Sequence, residues 1–190
     1  MTKELNQVNK IIQPGDVVFI NIKNYLYKQV AKTSLSWTSH VGIVCEQDGE
    51  LVVAESALPR VTYCSIDKFM KRSDQGMFAV RRLKSGVNKA QLDKMKKIMS
   101  SKMGLFYHLG FDYDSKRQYC SKFVYDVYKD STGLEVGDLE TFGDILKKNP
   151  KTSIWFWRLW FFGRLPLKRR AVTPASQYES KLLETVYQNF

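Results

Sequence analysis

Ser39-His40-Val41-Gly42-Ile43-Val44-Cys45-Glu46-Gln47-Asp48-Gly49-Glu50-Leu51-Val52-Val53-Ala54-Glu55-Ser56 sets two β-type runs on either side of an Asp-Gly pair. That pair is the strongest short-range hairpin signal, because a two-residue loop needs residues that tolerate positive φ. Counting outward from it, Gln47 faces Glu50, Gly42 faces Glu55 and His40 faces Ala57. Side chains alternate along a strand, so His40 and Glu55 share a face as diagonal neighbours, ~7 Å apart by Cα. A one-residue slip would put them on opposite faces. A carboxylate beside one ring nitrogen fixes an imidazole's tautomer and leaves the other nitrogen to take a proton. Taken alone, an edge-strand histidine beside a solvated glutamate is the commoner reading.

The flanking sequence supplies the rest of a sheet. Pro14-Gly15-Asp16 is turn punctuation before the short β-type run Val17 to Ile20. Val61 to Ile66 and Met77 to Leu83 read as further strands. Helical spacing appears over Asn24 to Ser34, through Tyr25, Leu26 and Val30. It recurs over Lys89 to Met103, with Leu92, Met95, Ile98 and Met99 on one face, and over Cys120 to Asp130, with Phe123, Val124, Val127 and Tyr128. Asp144 to Lys148 belongs to a third, short helix. The pattern predicts an α+β fold in which an antiparallel sheet, or a partial barrel, packs against the Cys120 helix.

At 190 residues the chain suits one domain over 1–190, with a basic aromatic C-terminal extension from about residue 151 and a polar, peripheral tail after Val172. With 44% hydrophobic and 13% aromatic residues, disordered and collagenous classes are excluded. A net charge of +11 implies attraction to something anionic: nucleic acid, a lipid surface or an acidic polymer. Met1 to Lys10 lacks the apolar run of a secretory signal, and no stretch approaches the ~18 apolar residues a spanning helix needs. Three cysteines are an odd count without metal-ligand spacing, which fits a reduced, cytosolic setting. Cys45 and Cys64 read as buried small hydrophobes in strands.

Cys120 differs from them. It opens an amphipathic helix after the polar loop Asp114-Ser115-Lys116-Arg117-Gln118. A thiol there feels the positive end of the helix dipole, and a neighbouring imidazolium would stabilise its thiolate further. The Cys120 N–H could also donate to an oxyanion. Only two histidines exist, and His108, between Tyr107 and Leu109, reads as structural or surface rather than as a rival base.

Three fragments together resemble the NlpC-type papain-like hydrolases. Cys120-Ser121-Lys122-Phe123-Val124-Tyr125-Asp126-Val127-Tyr128 is similar to their nucleophile helix, Ser39-His40-Val41-Gly42-Ile43-Val44 to their base strand, and Pro14-Gly15-Asp16-Val17-Val18-Phe19 to the strand before the base. Here the base strand precedes the cysteine helix. That circularly permuted order marks the YiiX and YebB-like branch, related to the lecithin retinol acyltransferase group. The resemblance spans roughly Pro14 to Asp130. It implies Cys120 as nucleophile, His40 as base and Glu55 as the polar residue orienting the base. Tyr119 stands where many ordinary members have Asp, which leaves the oxyanion donors open. Tyr107, Tyr119 and Gln118 are candidates, with core or rim packing the blander role for each.

The expected activity is a cysteine hydrolase, an amidase or peptidase passing through an acyl-thioester, that needs no metal or organic cofactor. The alternatives are a lipid ester hydrolase or acyltransferase using the same residues, and an inactive binding protein at an anionic surface. The substrate is then a small molecule, peptide or lipid with a scissile carbonyl. Ser153 to Arg170 interleaves Trp155, Phe156, Trp157, Trp160, Phe161 and Phe162 with cations and no acid. It reads as rings packed on the domain, as a lid, or as an anchor on an anionic membrane surface. No nucleic-acid motif accompanies it, and nucleic acid is not an expected partner.

Overall fold

The computed structural model describes residues 2–190. In chain order the elements are α1 (Thr2–Ile11), β1 (Val17–Ile22), α2 (Tyr25–Thr33), β2 (His40–Gln47), β3 (Glu50–Ser56), β4 (Val61–Ser65), α3 (Ile66–Lys71), β5 (Ser73–Leu83), α4 (Lys89–Lys102), α5 (Cys120–Thr132), β6 (Glu140–Thr141), α6 (Phe142–Lys148), α7 (Ile154–Trp160), β7 (Arg170–Ala171), α8 (Pro174–Tyr178) and β8 (Leu183–Gln188). Six strands form one sheet in the order β4-β3-β2-β1-β5-β8, with every neighbouring pair antiparallel. The sheet is open, with β4 and β8 as its edges, and not a closed barrel.

The hairpin has the predicted register. Gln47 pairs with Glu50, and the ladder continues to Ile43 opposite Ala54. Asp48 (φ 53°) and Gly49 (φ 81°) both lie in the left-handed region a type I′ turn requires. Strand alternation then divides two cores. Val17, Phe19, Val41, Ile43 and Ala54 pack against Phe123, Val124, Val127 and Tyr128 of α5 and against Met95 and Met99 of α4. Val18, Ile20, Val44 and Val53 pack against Leu5 and Val8 of α1 and Ile66, Phe69 and Met70 of α3. The Tyr128 hydroxyl donates to the Gly15 carbonyl and pins α5 to the Pro-Gly-Asp turn. Asp16 beside it is fully buried and takes Arg82 on both oxygens, at 2.7 and 2.8 Å.

Gly42 sits where β2 and β3 meet α3. A Cβ there would stand 2.5 Å from Val53 Cγ1, 3.1 Å from the Ala54 carbonyl and 3.2 Å from Phe69. Gly42→Ala is therefore expected to cost about 1–3 kcal/mol in denaturant unfolding, the range for overpacking a core.

One expectation is corrected. The tail after Val172 is not peripheral: α8 is largely buried, and β8 pairs with β5 from Leu83↔Leu183 to Ala79↔Gln188. Its β-branched and aromatic residues, Thr185, Val186 and Tyr187, suit an edge strand. The basic aromatic stretch is helical over only seven residues and splits its rings. Trp157 is buried, with Nε1 donating to Thr33 Oγ1 at 2.8 Å, whereas Trp155 is 75% exposed. Among the described residues, no helix is long and apolar enough to cross a membrane.

Candidate active site

His40 is the first residue of β2 and is fully buried. Its backbone is anchored by its neighbours: the Thr38 hydroxyl donates to the Ile20 carbonyl (2.9 Å), and Ser39 Oγ accepts from the Ile22 N–H (3.0 Å). The ring stands edge-on to Tyr27 and tilted over Phe69, with centroids 5.7 and 5.6 Å away. Nε2 meets Glu55 Oε2 at 2.5 Å. The hairpin thus joins the two residues that counting outward from Asp48-Gly49 placed on one face.

Glu55 is 1% exposed and has three partners. Besides His40 it accepts from Arg72 Nη2 on both oxygens (2.7 Å each) and from the Cys64 thiol (3.1 Å). Burial alone would raise its pKa, but His40 and Arg72 outweigh that and hold it at about 2. Arg72 caps the C-terminal end of α3 and lies over the Phe69 ring at 5.1 Å. Sequence reading missed it; a Lys-Arg pair after an amphipathic turn looks like a solvated helix end. Cys64, read as a buried small hydrophobe, is only half-buried and hydrogen-bonded, and burial together with Glu55 pushes its thiol well above the ordinary value. Cys45 does behave as core, its thiol pushed up to about 11 by burial.

Cys120 opens α5, and Tyr119 at the N-cap makes no side-chain capping bond. The first N–H groups of that helix are therefore left without a side-chain partner from the cap. The thiol interacts with the imidazole. Burial opposes a charge on His40, but hydrogen bonding with Cys120 and Glu55 and the attraction of both raise it to about 9. Nε2 is engaged with Glu55, and no partner other than the thiol competes for Nδ1. Nδ1 is thus the ring position left for a proton from the thiol.

Of the other candidates, Tyr107 reaches the thiol. It is 5% exposed, and burial, Cys120 and Tyr27 together hold its hydroxyl protonated well above the usual phenol range. Tyr27, on α2, was not singled out in the sequence. Tyr119 and Gln118 are structural: the Tyr119 hydroxyl accepts from the Val172 N–H, and Gln118 donates to Asp126. His108 lies apart and accepts from the Gly110 N–H through Nδ1. A cavity of about 50 Å³ opens beside Cys120, walled largely by Leu26, Val30, Phe111, Phe142, Trp157 and Val172. Its lining is overwhelmingly apolar.

The family model of the permuted papain-like amidases, YaeF/YiiX, C92, matches residues 11–187. The chain belongs to this family. Permuted papain-like amidases are thiol hydrolases, and the chain is an enzyme of that class. A curated relative is the "Uncharacterized protein YiiX" of Escherichia coli (strain K12), 25% identical over 175 residues, covering 92% of this chain and 85% of YiiX. The crystal structure of "metalloprotein yiiX" from Escherichia coli O157:H7 superposes with a TM-score of 0.88 at 24% identity, covering 95% of this chain and 99% of that one. At that identity the likeness speaks for the fold. The YiiX-like branch suggested by the permuted order is thus the one found.

The two shifted groups make stability depend on pH. Glu55, lowered from 4.5 to about 2, contributes stability that is present above pH 4.5 and lost as pH falls toward 2. His40, raised from 6.5 to about 9, contributes stability that is present below pH 6.5 and lost as pH rises through 9. Their joint contribution should be greatest between pH 4.5 and 6.5. Calorimetric Tm across pH tests this: a His40→Gln variant should lose the alkaline slope and keep a flat profile above pH 6.5.

Proposed function

We propose that the chain cleaves an amide whose acyl part is apolar, with Cys120 as nucleophile, His40 as general base then acid, and Glu55 as the residue orienting the imidazole. The observation carrying this reading is the 2.5 Å contact of His40 Nε2 with Glu55, which leaves Nδ1 as the ring nitrogen available to the Cys120 thiol. In the first step Nδ1 takes the Sγ proton and the thiolate attacks the carbonyl carbon. The oxyanion accepts from the Cys120 N–H and from Tyr107, whose hydroxyl stays protonated. The C–N bond then breaks, the imidazolium gives its proton to the leaving amine, and water attacks the thioester with His40 again as base. The apolar wall beside Cys120 supports an apolar acyl group as the part retained on the enzyme.

That same wall favours a second reading, in which the scissile bond is an ester of an apolar acid or the acyl group passes to an acceptor other than water. The word metalloprotein is said of the crystallised neighbour. In this chain the Glu55 oxygens are committed to His40, Arg72 and Cys64, and among the described residues no group of three or more His, Cys, Asp or Glu gathers to hold a metal ion. The donor set does not fit, and no step is routed through a metal.

A library of N-acyl amides, aminoacyl amides and acyl esters, followed by mass spectrometry, tests the proposal. Amide turnover that rises with acyl chain length supports it. Hydrolysis of peptide or aminoacyl amides without acyl preference would overturn the apolar assignment, and ester turnover alone would select the second reading.

A further inference from the structure

Helix α7 has two faces with opposite surroundings. Trp157 closes the wall beside Cys120, but Ile154, Trp155, Leu159 and Phe162 point away from the protein, the last two 77% and 98% exposed. Phe162 is the most telling. It sits at φ 54° before Gly163 at φ 93°, a left-handed backbone that L side chains adopt only at a cost in free energy. The chain accepts that cost to hold a phenylalanine ring almost wholly in solvent, where it gains no packing. Next to it Leu109, Leu159, Trp160, Phe162, Arg164 and Arg169 line a groove of about 530 Å³.

Charge chooses the occupant. From Ser153 to Arg170 there are five cations and no acid. Arg169 and Arg170 are balanced by Asp112 and Asp114, but Arg158, Arg164 and Lys168 are exposed and make no ion pair among the described residues. An apolar protein partner would bring no acidic complement to these cations, and a second copy would bring the same positive charges against them. Aromatic and aliphatic tips fringed by unpaired cations are complementary to the boundary between anionic headgroups and acyl chains.

We propose that the outer face of α7 and the turn after it dock this enzyme on an anionic phospholipid surface, with Trp155, Leu159 and Phe162 entering the headgroup boundary and Arg158, Arg164 and Lys168 held to phosphates. The inference does not depend on the chemistry assigned to Cys120, since a Cys120→Ala chain should dock equally well.

Co-sedimentation of the full chain with phosphatidylglycerol–phosphatidylcholine vesicles, and with phosphatidylcholine alone, tests it. Binding is expected to the anionic vesicles. It should weaken as salt rises from about 0.1 M to about 1 M, shortening the screening length from about 10 Å to about 3 Å. Arg158→Gln, Arg164→Gln and Lys168→Gln should each lower partitioning about fivefold. Phe162→Ser combined with Leu159→Ser should abolish it at unchanged Tm, because those side chains support no core. Absence of binding to anionic vesicles, equal binding to neutral ones, or indifference to these substitutions would overturn the proposal. So would a dimer in sedimentation velocity that the same substitutions dissolve without any vesicle binding, which would assign the face to a second copy.

Discussion

Cys120→Ala should lower turnover of any accepted substrate by at least about 10⁴-fold, because the proposed mechanism forms its thioester on that sulfur alone. The substitution leaves only a small cavity at a 3% exposed position but removes one of the groups that raise the His40 pKa, so Tm measured alongside separates lost chemistry from unfolding. In the intact chain, Cys120 should be alkylated by iodoacetamide near neutral pH well before Cys45 and Cys64. Burial holds the Cys45 thiol high, and burial with the adjacent Glu55 carboxylate does the same for Cys64. Peptide mapping reads the order directly. Preferential labelling of either other thiol, or turnover surviving in Cys120→Ala, would end the nucleophile assignment.

Glu55→Gln should reduce kcat by about 10³- to 10⁴-fold while leaving KM nearly unchanged, since in the proposed mechanism the residue acts through His40 rather than on substrate. The sign of the accompanying pH shift distinguishes this from structural damage. Glu55 is one of the two groups raising the His40 pKa to about 9. Without its charge, the alkaline limb of kcat should move down toward 6.5, the ordinary imidazole value. Arg72→Gln should act at the other end of the scale. It removes one of the groups holding Glu55 at about 2, so acid destabilisation should begin at higher pH, nearer 4.5. Retention of the wild-type profile by both variants would show that Glu55 and Arg72 do not tune His40.

The local parts of this site were legible because they lie within one hairpin. The Asp48-Gly49 turn dictates register, register dictates which side chains share a face, and His40 and Glu55 follow. The Cys120 helix was legible from its periodicity. What joins them was not. Arg72 reaches Glu55 from a C-cap 17 residues away, and Tyr27 and Tyr107 come to the cavity beside the thiol from separate elements. No spacing rule links such positions. Helix α1 hides Leu5 and Val8 among polar residues, so only contact with the α3 side of the sheet reveals its apolar stripe. Strand β8 went unread for the same reason as Arg72: its partner, β5, is about a hundred residues upstream.

That distance matters while the chain is being made. Strands β1 to β5 form a contiguous array as they emerge, but the outer side of β5 then waits, its N–H and C=O groups unpaired, until β8 is synthesised. The waiting edge is a template for pairing with a neighbouring nascent chain. The same interval covers Val172 and Thr173, which help wall the cavity beside Cys120. On the ribosome, therefore, the Cys120 thiol and the His40 imidazole can meet before the pocket around them is closed, and the last strand to arrive both seals the sheet and ends the period in which the chain is most prone to aggregate.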